Sequence, residues 1–156
     1  MTDYSTDLDP LRDLLDEWGV RYFSAEELTS LHSPAWDGPD HACPSSADLR
    51  HMHRTVQIAD VLRHCYGSAL RVVSGYRPPA YNDLIGGAPG SKHKTFRALD
   101  LQPYDGDIER LIDMARPVMD ALACAGWSTG LGLYDTFIHI DIGAEGDTYR
   151  RWDNRG

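Results

Sequence analysis

At 156 residues with 42% hydrophobic content, the chain can bury one sizeable core and is too short for two ordinary domains. Its 24 acidic residues against 15 basic ones, a formal charge of −9, leave no basic stretch to neutralise a phosphate backbone, so nucleic acid is excluded as an expected partner. No apolar run reaches the length of about 18 residues that a membrane span needs, and the start MTDYSTDLDP has neither the basic nor the apolar part of a secretory signal. The chain is therefore expected to be cytoplasmic as synthesised, without membrane insertion.

Asp9 and Pro10 open a helix in which Leu11, Leu14, Leu15 and Trp18 form one apolar stripe, and Gly19 ends it. Ser24 and Glu27 make a capping box for a short second helix through Leu31. A loop with Pro34, Trp36, Gly38, Pro39 and Pro44 follows. Ser45 is expected to cap a long third helix, with Leu49, Met52, Val56, Ala59, Leu62 and Tyr66 on one side and Gly67 as its stop. His51 and His53 point to different faces and cannot share a metal. His64 suits the negative end of the helix dipole, and the spacing of His32 and His41 gives them no special role.

Leu70 to Ser74 reads as a buried strand that turns at Gly75, placing Arg77 at a strand end. Pro78 and Pro79 start a short helix through Leu84, and a glycine-rich loop leads to His93. Arg97 to Gln102 is a second strand in which Asp100 faces away from Leu99 and Leu101. Asp107 to Ala125 is a strongly periodic helix, bent at Pro117 and stopped by Gly126. Leu131 to Tyr134 and Phe137 to Ile142 form an antiparallel hairpin turning near Asp135. The tail from Ala144 is polar, with Tyr149 and Trp152 as its anchors. Cys43, Cys65 and Cys124 have no C-x-x-C spacing and suggest neither a disulfide framework nor a cysteine zinc site; Cys65 and Cys124 are expected to pack as small apolar residues.

Chemistry concentrates between Ser74 and Asp100 and in FIHID at 137–141. In the last strand Ile138, Ile140 and Ile142 alternate with His139 and Asp141, so a period of two buries the isoleucines and turns the ionisable pair to the opposite face. Asp135 shares that face if the strand extends to it. Bringing His93 and Asp100 to the same cleft gives two neutral imidazoles and one carboxylate, a set that leaves a divalent ion an open position. Such a set keeps net positive charge on a zinc ion, which then activates water and polarises a carbonyl.

SGYRPPAYN, then GGAPGSKH, then Ala98-Leu99-Asp100, then FIHIDIG resembles the M15 family of zinc D-Ala-D-Ala carboxypeptidases and peptidoglycan endopeptidases, which share a fold with the hedgehog signalling domain. The likeness covers Leu70 to Gly143, and FSAEEL at 23–28 is similar to the family's lead-in. The resemblance implies that His93, Asp100 and His139 bind Zn2+, that Ser91 supports the site by hydrogen bonding, and that Arg77 holds the substrate's carboxylate or scissile carbonyl. Arginine suits that task because its planar fork pairs with a carboxylate bidentately. Asp141 is expected to orient a ligand or a nearby loop. The implied substrate is a peptidoglycan peptide, cut by a monomeric enzyme that a phage-type delivery would bring to the cell wall.

Two positions depart from the family pattern. Phe96 stands where a glycine is usual, and phenylalanine adopts positive φ only at a cost; either the turn differs or the glycine serves only to leave room. Thr136 stands where relatives carry a glutamate as general base, which makes Asp135 the nearest proton acceptor, narrowly ahead of Asp141.

The expected fold is α+β: one domain over 1–156, with a helical part at 1–67, a metal-site core at 68–143 and a tail at 144–156. A small, mainly antiparallel sheet carries helices on one side and the metal cleft on the other. Two other functions compete with the peptidase. A metal-binding module without efficient catalysis, recognising wall peptides or a protein partner, would accommodate Phe96 and the missing glutamate. A non-haem iron oxygenase would use His139-x-Asp141, but such triads take a second histidine downstream, and none follows Asp141.

Overall fold

The computed structural model describes residues 5–146 and 149–156. Five strands, β1 (Leu70–Ser74), β2 (Ala98–Pro103), β3 (Thr129–Leu133), β4 (Ile138–Ile142) and β5 (Arg150–Asp153), join in the order β1-β2-β4-β3-β5. Neighbours are antiparallel except β3 and β5, which run parallel. Alternation sends Leu99 and Leu101, Leu131 and Leu133, and Ile138 and Ile140 into the core, all buried. Helices α3 (His53–Tyr66) and α5 (Ile108–Cys124) pack on β2, β3 and β4. Each such buried side chain contributes about 1.5–3 kcal/mol relative to exposure, so this face fixes the register of the opposite one. The architecture is the α+β sheet that the residue pattern predicts.

The N-terminal helices follow their local signals closely. In α1 (Asp9–Glu17) Leu11, Leu14 and Leu15 are buried, and α2 (Ala25–Thr29) carries both hydrogen bonds of the Ser24–Glu27 capping box. The third helix differs from expectation at its start: Ser45 caps no helix, residues Leu49–Met52 form a 3-10 turn, and α3 proper begins at His53. Its apolar side is nonetheless as read, with Leu49, Met52, Val56, Ala59, Leu62 and Tyr66 all buried. Cys65 and Cys124 are exposed, contrary to their expected packing, because each lies off the apolar stripe of its helix.

Gly75 and Phe96 show what the backbone demands on either side of the His93 turn. Gly75 does not have a positive φ; its role is contact, since a Cβ there would strike the Leu28 carbonyl, and the Tyr76 N–H donates to that same oxygen at 2.8 Å. Gly75 therefore seats β1 against α2 rather than turning the chain. Phe96 is the non-glycine residue with positive φ among the described residues, at φ 56°, ψ 44°. The turn keeps the left-handed conformation of a glycine, and the phenylalanine accepts it. Its ring is fully buried and meets Tyr76 edge to face at 6.0 Å, which offsets the backbone cost.

The tail is not a polar extension. Arg150–Asp153 is a fifth strand, pairing Gly130 with Arg150 and Gly132 with Trp152. Parallel pairing requires a long connection and leaves no local signature in so short a segment. A Cβ at Gly130 would collide with the Asp141 carboxylate, and one at Gly132 with the Trp152 indole. The glycines of β3 therefore leave the space in which β5 side chains reach across to β4.

Candidate metal centre

The strand registers put the site in two parallel rows. Ser74 lies opposite Asp100, Asp100 opposite His139, His139 opposite Gly132, and Gly132 opposite Trp152, one row crossing all five strands. The second row runs from Ala98 through Asp141 and Gly130 to Arg150. His93 comes from elsewhere, on a 3-10 turn (Lys92–Thr95) capped by Ser91, with the His93 backbone N–H donating to Ser91 Oγ at 3.3 Å. The Arg77 N–H donates to the His93 carbonyl at 3.1 Å, tying that turn to the segment after β1. His93, Asp100, His139, Asp141, Arg150 and Trp152 line a cleft of about 430 Å³, together with Arg77, Tyr134, Lys92 and Gly87.

His93, Asp100 and His139 converge: one ligand atom from each lies within 4.8 Å of the others, and all three residues are buried. The Nδ1 of His93 is 2.7 Å from the Gly75 carbonyl, which can only accept, so the proton sits on Nδ1 and Nε2 carries a lone pair. That lone pair lies 3.2 Å from Asp100 Oδ1. Burial pushes the His93 imidazole towards its neutral form. Burial alone would raise the Asp100 carboxyl, but the charge of the neighbouring histidines and their hydrogen bonds outweigh it and hold the group far below the usual carboxylate range. Two acceptors so placed in a buried site need a cation between them, and the donor set fits a divalent metal.

His139 is gripped from both sides, by Asp100 Oδ1 at 2.9 Å from Nδ1 and by Asp141 Oδ2 at 2.7 Å from Nε2. Burial opposes its protonation, yet the two carboxylates prevail and push the imidazole up to about 9. Asp141 in turn is 1% exposed; burial would raise its carboxyl, while His139 and Arg150 hold it low. The Arg150 guanidinium meets both Asp141 oxygens, at 3.0 and 2.7 Å. Arg77 donates through Nε to Ser74 Oγ at 2.8 Å and through Nη2 to Asp100 Oδ2 at 3.3 Å. Arg77 is thus at the cleft, in contact with one of the converging residues.

Asp135 is the sequence expectation that the structure moves away from the site. Strand β4 begins at Ile138, so Asp135 lies in the β3–β4 turn, is exposed, and accepts from the Gly156 N–H at 3.2 Å. It does not line the cleft. To share the His139 face, Asp135 would need β4 to extend three residues further than the turn allows.

Sequence reasoning missed Tyr134, Arg150 and Trp152 as cleft residues, and Ser74 as the acceptor that holds Arg77. The Trp152 indole lies 5.1 Å from the His139 ring and donates to the Tyr134 hydroxyl at 3.1 Å. A signal existed in Thr129-Gly-Leu-Gly-Leu133: two glycines on the face opposite the leucines announce side chains approaching from a neighbouring strand.

Two imidazoles and a carboxylate converging on the floor of an open cleft form the kind of donor set that metal hydrolases use. The chain belongs to the Peptidase M15 family, whose model matches residues 21–141, and so to a family of metallopeptidases. No curated protein is significantly similar to it. Among the described residues no helix is long and apolar enough to cross a membrane.

Proposed function

We propose that this chain, as one domain, is a zinc-dependent peptidase that hydrolyses peptide bonds in peptidoglycan stem peptides or their cross-links, as a carboxypeptidase or an endopeptidase. The observation that carries the reading is the convergence of His93 Nε2, Asp100 Oδ1 and His139 Nδ1 in a chain of the M15 family. These three would hold Zn2+, which when bound supplies Lewis acidity at a scissile carbonyl and activation of water. Ser91 caps the backbone of the His93 turn, the Gly75 carbonyl fixes the His93 ring, and Asp141 orients His139. Arg77 offers its guanidinium to the carboxylate or carbonyl of a bound peptide beside Asp100.

Incubation of defined muropeptides with the pure protein, followed by mass spectrometry, tests the reading. Peptide products should form, disappear with chelator, return with added zinc, and be absent with His139→Ala. Cleavage that survives chelation and His139→Ala would overturn it. One observation favours a second reading, a metal-binding module that recognises wall peptides or a protein partner with little turnover. Among the described residues the acids lining the cleft are Asp100 and Asp141, and both are engaged by cationic neighbours. Zinc-dependent binding of muropeptides with no product at any pH would support that reading.

A further inference from the structure

We infer that Arg150 is a positioning residue for the metal centre, acting through Asp141 to hold the His139 imidazole with Nδ1 turned toward Asp100. The inference rests on the reading of His93, Asp100 and His139 as metal ligands. Arg150 lies beyond residue 141, where the family match ends, on a strand with no local sequence signature.

The geometry is a chain of contacts that starts in the Arg150–Gly130–Asp141 row of the sheet and crosses along β4 to His139 in the neighbouring row. The guanidinium fork meets both oxygens of Asp141, and one of those oxygens meets His139 Nε2 at 2.7 Å. An arginine holding both oxygens fixes the plane of a carboxylate as well as its charge. A carboxylate so fixed accepts from Nε2–H and accepts nothing from a ring carbon, so it selects both the orientation and the tautomer of the imidazole. With Nε2–H committed to Asp141, Nδ1 is the nitrogen that faces Asp100 Oδ1, and its lone pair is the one a bound metal ion would take in place of a proton. Gly130 makes the arrangement possible, since any side chain there would stand between Arg150 and Asp141. Without Arg150, Asp141 is a buried carboxylate held by His139 with no guanidinium to fix its plane, and it either draws the imidazole proton or swings aside. Both results loosen the ligand.

Arg151 provides the control. It sits on the same strand but binds Asp120 of α5 at 2.7 Å and the Thr129 carbonyl at 3.0 Å, touching neither Asp141 nor His139. If Arg150 only anchored β5, removing either arginine would act alike.

The test is zinc affinity of the metal-stripped protein, measured by competition with a chromophoric chelator. Arg150→Ala should bind zinc about 10–100-fold more weakly, the range for removing a group that orients a metal ligand. Arg151→Ala should stay within about twofold of the unaltered protein, since it leaves that orientation intact. Arg150→Lys keeps the charge but loses the fork, and should weaken binding at least about threefold; it carries the comparison if the alanine variant does not fold. The double variant Arg150→Ala with Asp141→Asn should bind no more weakly than Asp141→Asn alone. Unchanged affinity in both Arg150 variants, additive losses in the double variant, or equal losses from Arg150 and Arg151 would each overturn the inference. Failure of the unaltered protein to bind zinc would overturn the ligand assignment, and this inference with it.

Discussion

Replacing Phe96 should reverse the ordinary ranking of alanine and glycine. The residue combines a left-handed backbone, φ 56°, with a side chain that is fully buried against Tyr76. Truncating a buried phenylalanine to alanine costs about 3–5 kcal/mol, and alanine still bears the left-handed penalty of about 1–2 kcal/mol. Glycine loses the same ring but escapes most of that penalty, giving back about 0.5–1 kcal/mol through the greater freedom of its unfolded chain. Phe96→Ala should therefore unfold about 3–5 kcal/mol more easily than the parent. Phe96→Gly should be more stable than Phe96→Ala by up to about 1 kcal/mol. Urea unfolding followed by tryptophan fluorescence measures both. Equal stability of the two variants, or greater stability of the alanine one, would refute the claim that the phenylalanine stores backbone strain at the exit from the His93 turn. A loss below about 1 kcal/mol for alanine would refute the packing half of the argument.

Gly130→Ala should destabilise the protein by about 1–3 kcal/mol, because its Cβ must displace the Asp141 carboxylate, whereas Gly90→Ala, which meets open space at an ordinary φ, should change stability by less than about 0.5 kcal/mol. Comparable thermal denaturation of the two would show that β3 tolerates a side chain there. Burial and the hydrogen bond to Asp105 push the Tyr66 hydroxyl up to about 12. The folded state then holds a proton that the unfolded chain releases near its ordinary value of 10. Stability from this group is present in full below pH 10 and is lost as pH rises towards 12. Denaturant titrations at stepwise pH should show a decline over that window that Tyr66→Phe lessens, and an identical slope in the variant would contradict the assignment.

Where the determinants are local or periodic, the sequence by itself decided the outcome. The Ser24–Glu27 box, the stripes of α1 and α5 and the strand β1 lie within a residue or two of where their residues place them. Alternation in Ile138–Ile142 alone implies that His139 and Asp141 leave the core, and one further strand suffices to set Asp100 beside them. The family resemblance named His93 as their companion, and the fold brings it there. Asp135 failed because strand length, which periodicity does not limit, was set by the Tyr134–Phe137 turn with its stacked rings 4.3 Å apart.

Only the tertiary structure decided the rest, and the reason is non-local pairing. The strand β5 exists because β3 offers it an edge and two glycines, so Arg150 and Trp152 reach the cleft from a segment whose own composition is polar. Phe96 keeps a glycine's conformation because Tyr76, distant in sequence, packs against it. Residue types identified which groups were capable of binding a metal. The cross-strand register determined which of them stand close enough to share one, and which neighbours hold them in place.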